Sequence, residues 1–179
     1  MDVSDNSGTA RQEAEARWGG PNFEATQIDN IGAAVLASWC TRAGLVITDT
    51  STHNTRFNAI VADPAPEWTL PIAIKVPTRN SIEVVRDQLD FTGVFVYVFL
   101  GRHDGGQQTR EHTTILALDP HTAWRLPRAD PAPHRDDAPA RMWPLTPALA
   151  ELLAPDLATS PDQLRAVLAR HGWRKPSSD

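Results

Sequence analysis

Two lysines stand against fifteen arginines in these 179 residues, and one of them, Lys75, sits inside a β-type run, IAIKV. Alternation places Ile72, Ile74 and Val76 on one side of that run and Ala73 and Lys75 on the other, so the ammonium points away from the aliphatic face. A second short run, RFNAIVAD, precedes it across a Pro-rich connection, PAPEW. Acids lie nearby in sequence: Asp49 and Asp63 flank the hairpin, and Glu83 and Asp87 are four apart just after it. Other chemistries have little to stand on. The six histidines show no HxH or HExxH spacing for zinc, and Ser51 near His53 lacks a GxSxG elbow. No glycine-rich phosphate loop is present.

The bulk properties set wider bounds. The length suits one domain, with 41% apolar and 22% charged residues as in ordinary globular chains. A net charge of −5 argues against a broad grip on phosphate backbones, although a local basic cleft is compatible with it. Cys40 is the single cysteine, so there is no disulfide framework and no thiolate zinc site; its setting in AVLASWCTRAGL reads as a buried helical thiol. The N-terminal stretch lacks the basic and apolar regions of a signal peptide, and no apolar run approaches the ~20 residues that span a bilayer. The expectation is a cytoplasmic protein with no membrane partner.

In chain order, residues 1–22 read as a disordered arm. A core follows over 23–126. Ile28, Ile31, Val35, Leu36 and Trp39 recur at helical steps, predicting a helix over 23–43 closed by Gly44. Leu45-Val46-Ile47 reads as a strand, and DTSTHNT as a turn. After the two hairpin runs, Asn80 or Ser81 is placed to cap a helix through Leu89. VFVYVFL reads as a fully buried strand, GRHDGGQQTREH as a loop, and TTILAL as another strand. Residues 127–145 read as a Pro-rich strap, with Trp143 there and Trp68 in the hairpin connection as candidate exposed contacts. Residues 146–174 supply two short helices docking on the core, with Thr146-Pro147 at one N-terminus, a capping box at Ser160–Gln163, and Gly172 as a C-terminal glycine.

This order, helix-strand-strand-strand-helix-strand-strand with a lysine in the third strand, resembles the PD-(D/E)xK or restriction-endonuclease-like nuclease superfamily. The similarity covers roughly residues 28–126. It implies an α/β fold with a restriction-endonuclease-like core, a mixed central sheet flanked by helices in the order αβββαββ, here with a C-terminal helical extension. In that family, hairpin carboxylates hold Mg2+ and the lysine positions or activates water, because phosphodiester hydrolysis needs hard oxygen ligands and charge stabilisation. Carried over by position, the ligating Asp falls on Asn58, the Glu/Gln before the lysine on Ala73, and the helix glutamate near Ala33. Only Lys75 matches.

The resemblance therefore implies a pseudo-nuclease with no cofactor, acting by binding a protein partner, with Lys75 as relic or retained residue. One alternative is a Mg2+-dependent nuclease using relocated acids from Asp49, Asp63 and Glu83. Another is nucleic-acid binding without cleavage, through Arg56, Arg79 and Arg86 around Lys75. Neither the oligomeric state nor the partner is specified by the sequence.

Overall fold

A computed structural model describes residues 21–50, 58–65, 68–77, 79–100, 102–104, 107–110, 112–127 and 138–174. Residues 1–20 of the expected arm, 51–55 of the expected turn and 128–137 of the expected strap lie outside the described residues.

Helix α1 (Pro21–Arg42) forms where the periodicity predicts, and Gly44 follows it in the left-handed region at φ 71°. Its buried line is Gly32, Leu36 and Cys40, at steps of four. Ile31, assigned to the core face from spacing, is instead 52% exposed. The reason is a close approach: a Cβ on Gly32 would overlap the Val76 methyls, so the helix meets the sheet on its glycine. Cys40 is fully buried as expected, and burial pushes its thiol up to about 12.

The central sheet is mixed and mostly antiparallel. Strand β1 (Val46–Asp49) pairs antiparallel with β2 (Ala59–Ala62), and β2 with β3 (Trp68–Lys75). The hairpin connection is shorter than the sequence reading placed it, because Trp68 joins the strand. Next comes β4 (Ser81–Val85), treated below, and then β5 (Val94–Phe99), which lies parallel to β3. Strands β6 (Arg102–Asp104) and β7 (Gln107–Arg110) form a hairpin where a loop was expected. Strand β8 (Thr114–Leu118) runs antiparallel to β5. Among the described residues the protein is thus an α/β molecule.

Both faces of the sheet are covered, and β5 is buried throughout, as its unbroken apolar run requires. On one face Val94, Val96 and Val98 pack with Leu70, Ile72, Ile115 and Leu36. On the other, Phe95, Tyr97 and Phe99 pack with Leu116, Leu118, Ile82 and Val84.

The element between β3 and β5 corrects the expectation of a helix over 80–89. It is β4 followed by one 3-10 turn, Arg86–Gln88. The residues explain this: Ile82 and Val84 are buried while Glu83 is exposed, which is a period of two, and Ile-x-Val-Val is β-branched. Its partner is β9 (Ala140–Pro144), within the segment expected to be a Pro-rich strap outside the core. Trp143 of β9 lies opposite Ile82, is 2% exposed, and donates its indole N–H to Leu126 O at 2.9 Å. Trp68 is likewise buried, at 4% exposure. Neither tryptophan is the exposed contact that its sequence setting suggested.

The remaining elements fasten the rim. Asp119 caps the short helix α2 (Pro120–Trp124), and the Thr146 hydroxyl accepts from Leu149 N–H at the start of α3 (Pro147–Leu152). Strand β10 (Leu157–Ala158) adds antiparallel to β8. Helix α4 (Pro161–Ala169) buries Leu164, Val167 and Leu168. Its capping box is modified: Ser160 makes no side-chain cap bond, and Gln163 Oε1 accepts from Thr159 N–H and hydroxyl at 2.8 and 2.9 Å. Gly172 is not left-handed but lies against Trp68. Strand β11 (Trp173–Arg174) pairs with the first half of β3, on the flank whose second half β5 occupies.

Candidate functional site

The β2–β3 ladder comes apart at Asn58, and this opens the site. Asn58 N–H still donates to Ile72 O at 3.2 Å. One step further, Ile74 N–H donates to the side-chain oxygen of Asn58 at 2.7 Å. The amide takes the place of the backbone carbonyl that a continuing ladder would supply. Beyond this fork β3 is held by β5, with Lys75 opposite Tyr97.

A cavity of about 1080 Å3 occupies the fork. Helix α1 contributes Asp29, Asn30, Ala33, Ala34 and Ala37, and β1 contributes Ile47 and Asp49. The fork contributes Asn58, Lys75 and Arg79, and the far wall is Ser81 and Glu83 of β4 with Tyr97 and Met142. The structure therefore brings Ala33, Asp49, Asn58, Lys75, Arg79 and Glu83 to one place. It adds Asp29, which the sequence reading passed over. Asp29 precedes Ala33 by four residues, one helical turn on the same face, and that spacing was the available signal.

Other candidates go elsewhere. Ala73 is 7% exposed and packs in the aromatic cluster beside Phe95, Ile82 and Val84, outside the cavity lining. Arg86 donates its Nε–H to Ala138 O at 3.1 Å and lies 5.5 Å from the Trp124 ring centroid. Glu83 and Asp87 do not share a helix face, since one is on β4 and the other on the 3-10 turn. Arg56 lies outside the described residues.

Asp63 is anchored away from the cavity. Its carboxylate accepts from Ala65 N–H at 2.9 Å and from the Arg165 guanidinium of α4 at 2.6 Å. The Ala65 amide and then Arg165 hold its carboxyl below the usual range, against an opposing effect of burial. A depressed carboxyl contributes stability present above its unfolded value of about 3.9 and lost as pH falls through the folded value. Asp63→Asn is therefore expected to be less stable than the native chain at pH 7, with the gap closing below pH ~4. Urea unfolding at pH 7 and at low pH checks this; a gap that does not narrow would refute it.

Lys75 is half-buried and bonded within the molecule. Its ammonium donates to Gln88 Oε1 at 2.9 Å and lies 5.4 Å from the Phe95 ring centroid. Burial lowers its pKa, while the charges of Glu83 and Asp29 act in the opposite direction. Tyr97, beneath it, donates its hydroxyl to Glu83 O at 2.9 Å, and burial raises its pKa.

Mg2+ asks for charged, hard oxygen ligands. Here the Asn58 amide is neutral and its oxygen is committed to a backbone N–H; Ala33 and Ala73 offer no donor. Among the described residues, no group of three or more His, Cys, Asp or Glu side chains is placed to hold a metal ion. The donor set at the positions that the resemblance marks does not fit the ion. Nor is any helix among the described residues long and apolar enough to cross a membrane. Comparison with family models, with curated proteins and with solved structures returns no match for the chain.

Proposed function

We propose that the chain is a restriction-endonuclease-like domain that works by binding a protein partner and not by cleaving nucleic acid. The strand arrangement supports the fold half of this reading. A three-stranded antiparallel meander, a crossover into a parallel fourth strand and an antiparallel fifth make a mixed sheet compatible with such a core. The expected crossover helix is replaced by β4 and its 3-10 turn.

One observation carries the loss of catalysis: Asn58, at the position of the ligating aspartate, spends its side-chain oxygen on Ile74 N–H. The amide has become part of the fork's backbone bonding. The preference for a protein partner rests on charge. The whole chain carries −5, and the cavity's three carboxylates outnumber its two cations, which disfavours phosphate.

A second reading has its own observation. Asp29, Asp49 and Glu83 line the same cavity as Lys75, so relocated acids would have a lysine beside them. Incubation with plasmid and with single-stranded DNA and RNA, in Mg2+ or Mn2+, beside a Lys75→Ala control, separates the two. The expected result is no metal-dependent cutting. Cutting that disappears in Lys75→Ala would establish the nuclease. Salt-sensitive retention of nucleic acid without cutting would replace the protein partner by a nucleic-acid one.

A further inference from the structure

We propose that Lys75 captures a polyhydroxylated aldehyde, of the reducing-sugar class, as a reversible imine in the cavity at the β2–β3 fork. This goes beyond the binding role above and does not depend on the nuclease resemblance.

The first support is the choice of residue. Fifteen of the chain's seventeen Lys and Arg residues are arginine, which carries charge but does not act as an amine nucleophile. The residue that lines the cavity beside Phe95 is one of the two lysines. The second is its setting. Nζ is hydrogen-bonded to a neutral amide at 2.9 Å and rests over an aromatic ring. Desolvation of this kind favours the neutral amine, the attacking form, while Glu83 and Asp29 draw the balance back towards the ammonium. Asp49, Arg79 and Tyr97 are the other ionisable groups on the cavity wall.

The third support defines the ligand. The carboxylates of Asp29 and Glu83, with the Asn30 side-chain oxygen, bring hydrogen-bond acceptors to the cavity wall. A ligand must bring donors to meet them, and hydroxyl groups do so without charge. Three carboxylates against Lys75 and Arg79 leave the wall net negative, which works against anionic carbonyl compounds such as 2-oxo acids. A volume of about 1080 Å3 accommodates a five- or six-carbon sugar.

The step is a condensation. The Nζ lone pair attacks the aldehyde carbon, the C–N bond forms as the C=O π bond opens, and the oxygen takes up a proton to give a carbinolamine. The nitrogen then releases a proton to the Glu83 carboxylate, which passes it to the hydroxyl as that group leaves as water. The product is a protonated imine plus one water, the extra proton being the one the carbonyl oxygen took from solvent, with no change of oxidation state. Hydration reverses it.

The test is reductive trapping on the full chain at pH 7. Glyceraldehyde is the probe, cyanoborohydride the reductant, and peptide mass spectrometry reads each amine. Lys75 is expected to label at least about tenfold faster than Lys175, because only the neutral amine attacks. Propanal, which lacks hydroxyls, and glyoxylate, which is anionic, are expected to label Lys75 more slowly than glyceraldehyde. Labelling of Lys75 at or below the rate of Lys175 overturns the proposal, as does equal labelling by propanal or glyoxylate. Glu83→Gln, with an unchanged circular dichroism spectrum, is expected to slow trapping at Lys75; an unchanged rate removes Glu83 from the step. The internal comparison with Lys175 uses native protein, so the outcome does not hinge on the folding of a variant. A failure here leaves the nuclease-fold reading standing, since that reading is tested by cutting.

Discussion

Replacing Trp143 by alanine is expected to lower stability by about 3–5 kcal/mol, the range for emptying a buried aromatic site. The indole is 2% exposed, sits opposite Ile82 in the β4–β9 ribbon, and satisfies Leu126 O. Its removal leaves both a cavity against the aromatic face of the sheet and an unpaired carbonyl. Trp143→Phe separates the two effects: bulk is kept, and the lost hydrogen bond costs about 1–3 kcal/mol if the carbonyl stays dry. The ribbon is also tied through Arg141, which stacks 4.2 Å from the Trp124 centroid and donates to Trp124 O at 3.0 Å. Trp173→Ala is the comparator, because that side chain is 50% exposed and its loss removes less buried area. Urea unfolding of the three variants measures the differences. A loss below about 1.5 kcal/mol for Trp143→Ala would mean that the ribbon is not part of the cooperative core.

Placing carboxylates at positions 58 and 73 is expected to fail as a metal site, and to fail at one position only. Asn58→Asp keeps an acceptor oxygen where Ile74 N–H needs it, so the fork should persist with little loss. Ala73→Glu is different. Position 73 is 7% exposed and packs among Phe95, Ile82 and Val84, while Lys75, two residues along, already bonds Gln88. A carboxylate forced into that cluster should cost about 3 kcal/mol or more, as a buried charge without a full partner does. The double variant is accordingly expected to unfold early and to show no Mg2+ binding by calorimetry. A stable double variant that binds Mg2+ would show that position 73 accepts a carboxylate without repacking.

That contrast bears on what could be read in advance. Local signals carried well. The four-residue steps of α1, Gly44 after it, the unbroken apolar run of β5 and the Thr146-Pro147 cap each depend on residues a few positions apart. Lys75 pointing away from Ile72 and Ile74 followed from alternation alone. Strand β4 departs from the expected helix because the capping residues before SIEVVRDQL are compatible with a helix, and the partner that makes it a strand lies some sixty residues away, beyond a Pro-rich segment. Trp143 was hidden for the same reason. At the site, Asn58, Ala33, Asp49, Glu83 and Arg79 line one cavity with Lys75, and Asp63 does not. Its partner, Arg165, is on the last helix, and nothing near Asp63 in sequence announces that bond. Asp29 lies one helical turn before Ala33, and only its four-residue spacing from that position marks it in the sequence.

Strand β11 has a consequence for how the molecule assembles. Thr69 is flanked by Ala62 on one side and by Trp173 on the other, so the middle strand of the sheet gains its last neighbour roughly a hundred residues after it is synthesised. Strand β8 likewise waits for β10. Until then two hydrogen-bonding rows of the central sheet face open water, a state in which strands recruit one another between chains. Such high contact order slows folding and makes nascent or truncated chains dependent on protection. The closing pair, Trp173 and Arg174, thus acts late, as the latch that ends exposure of the sheet's interior.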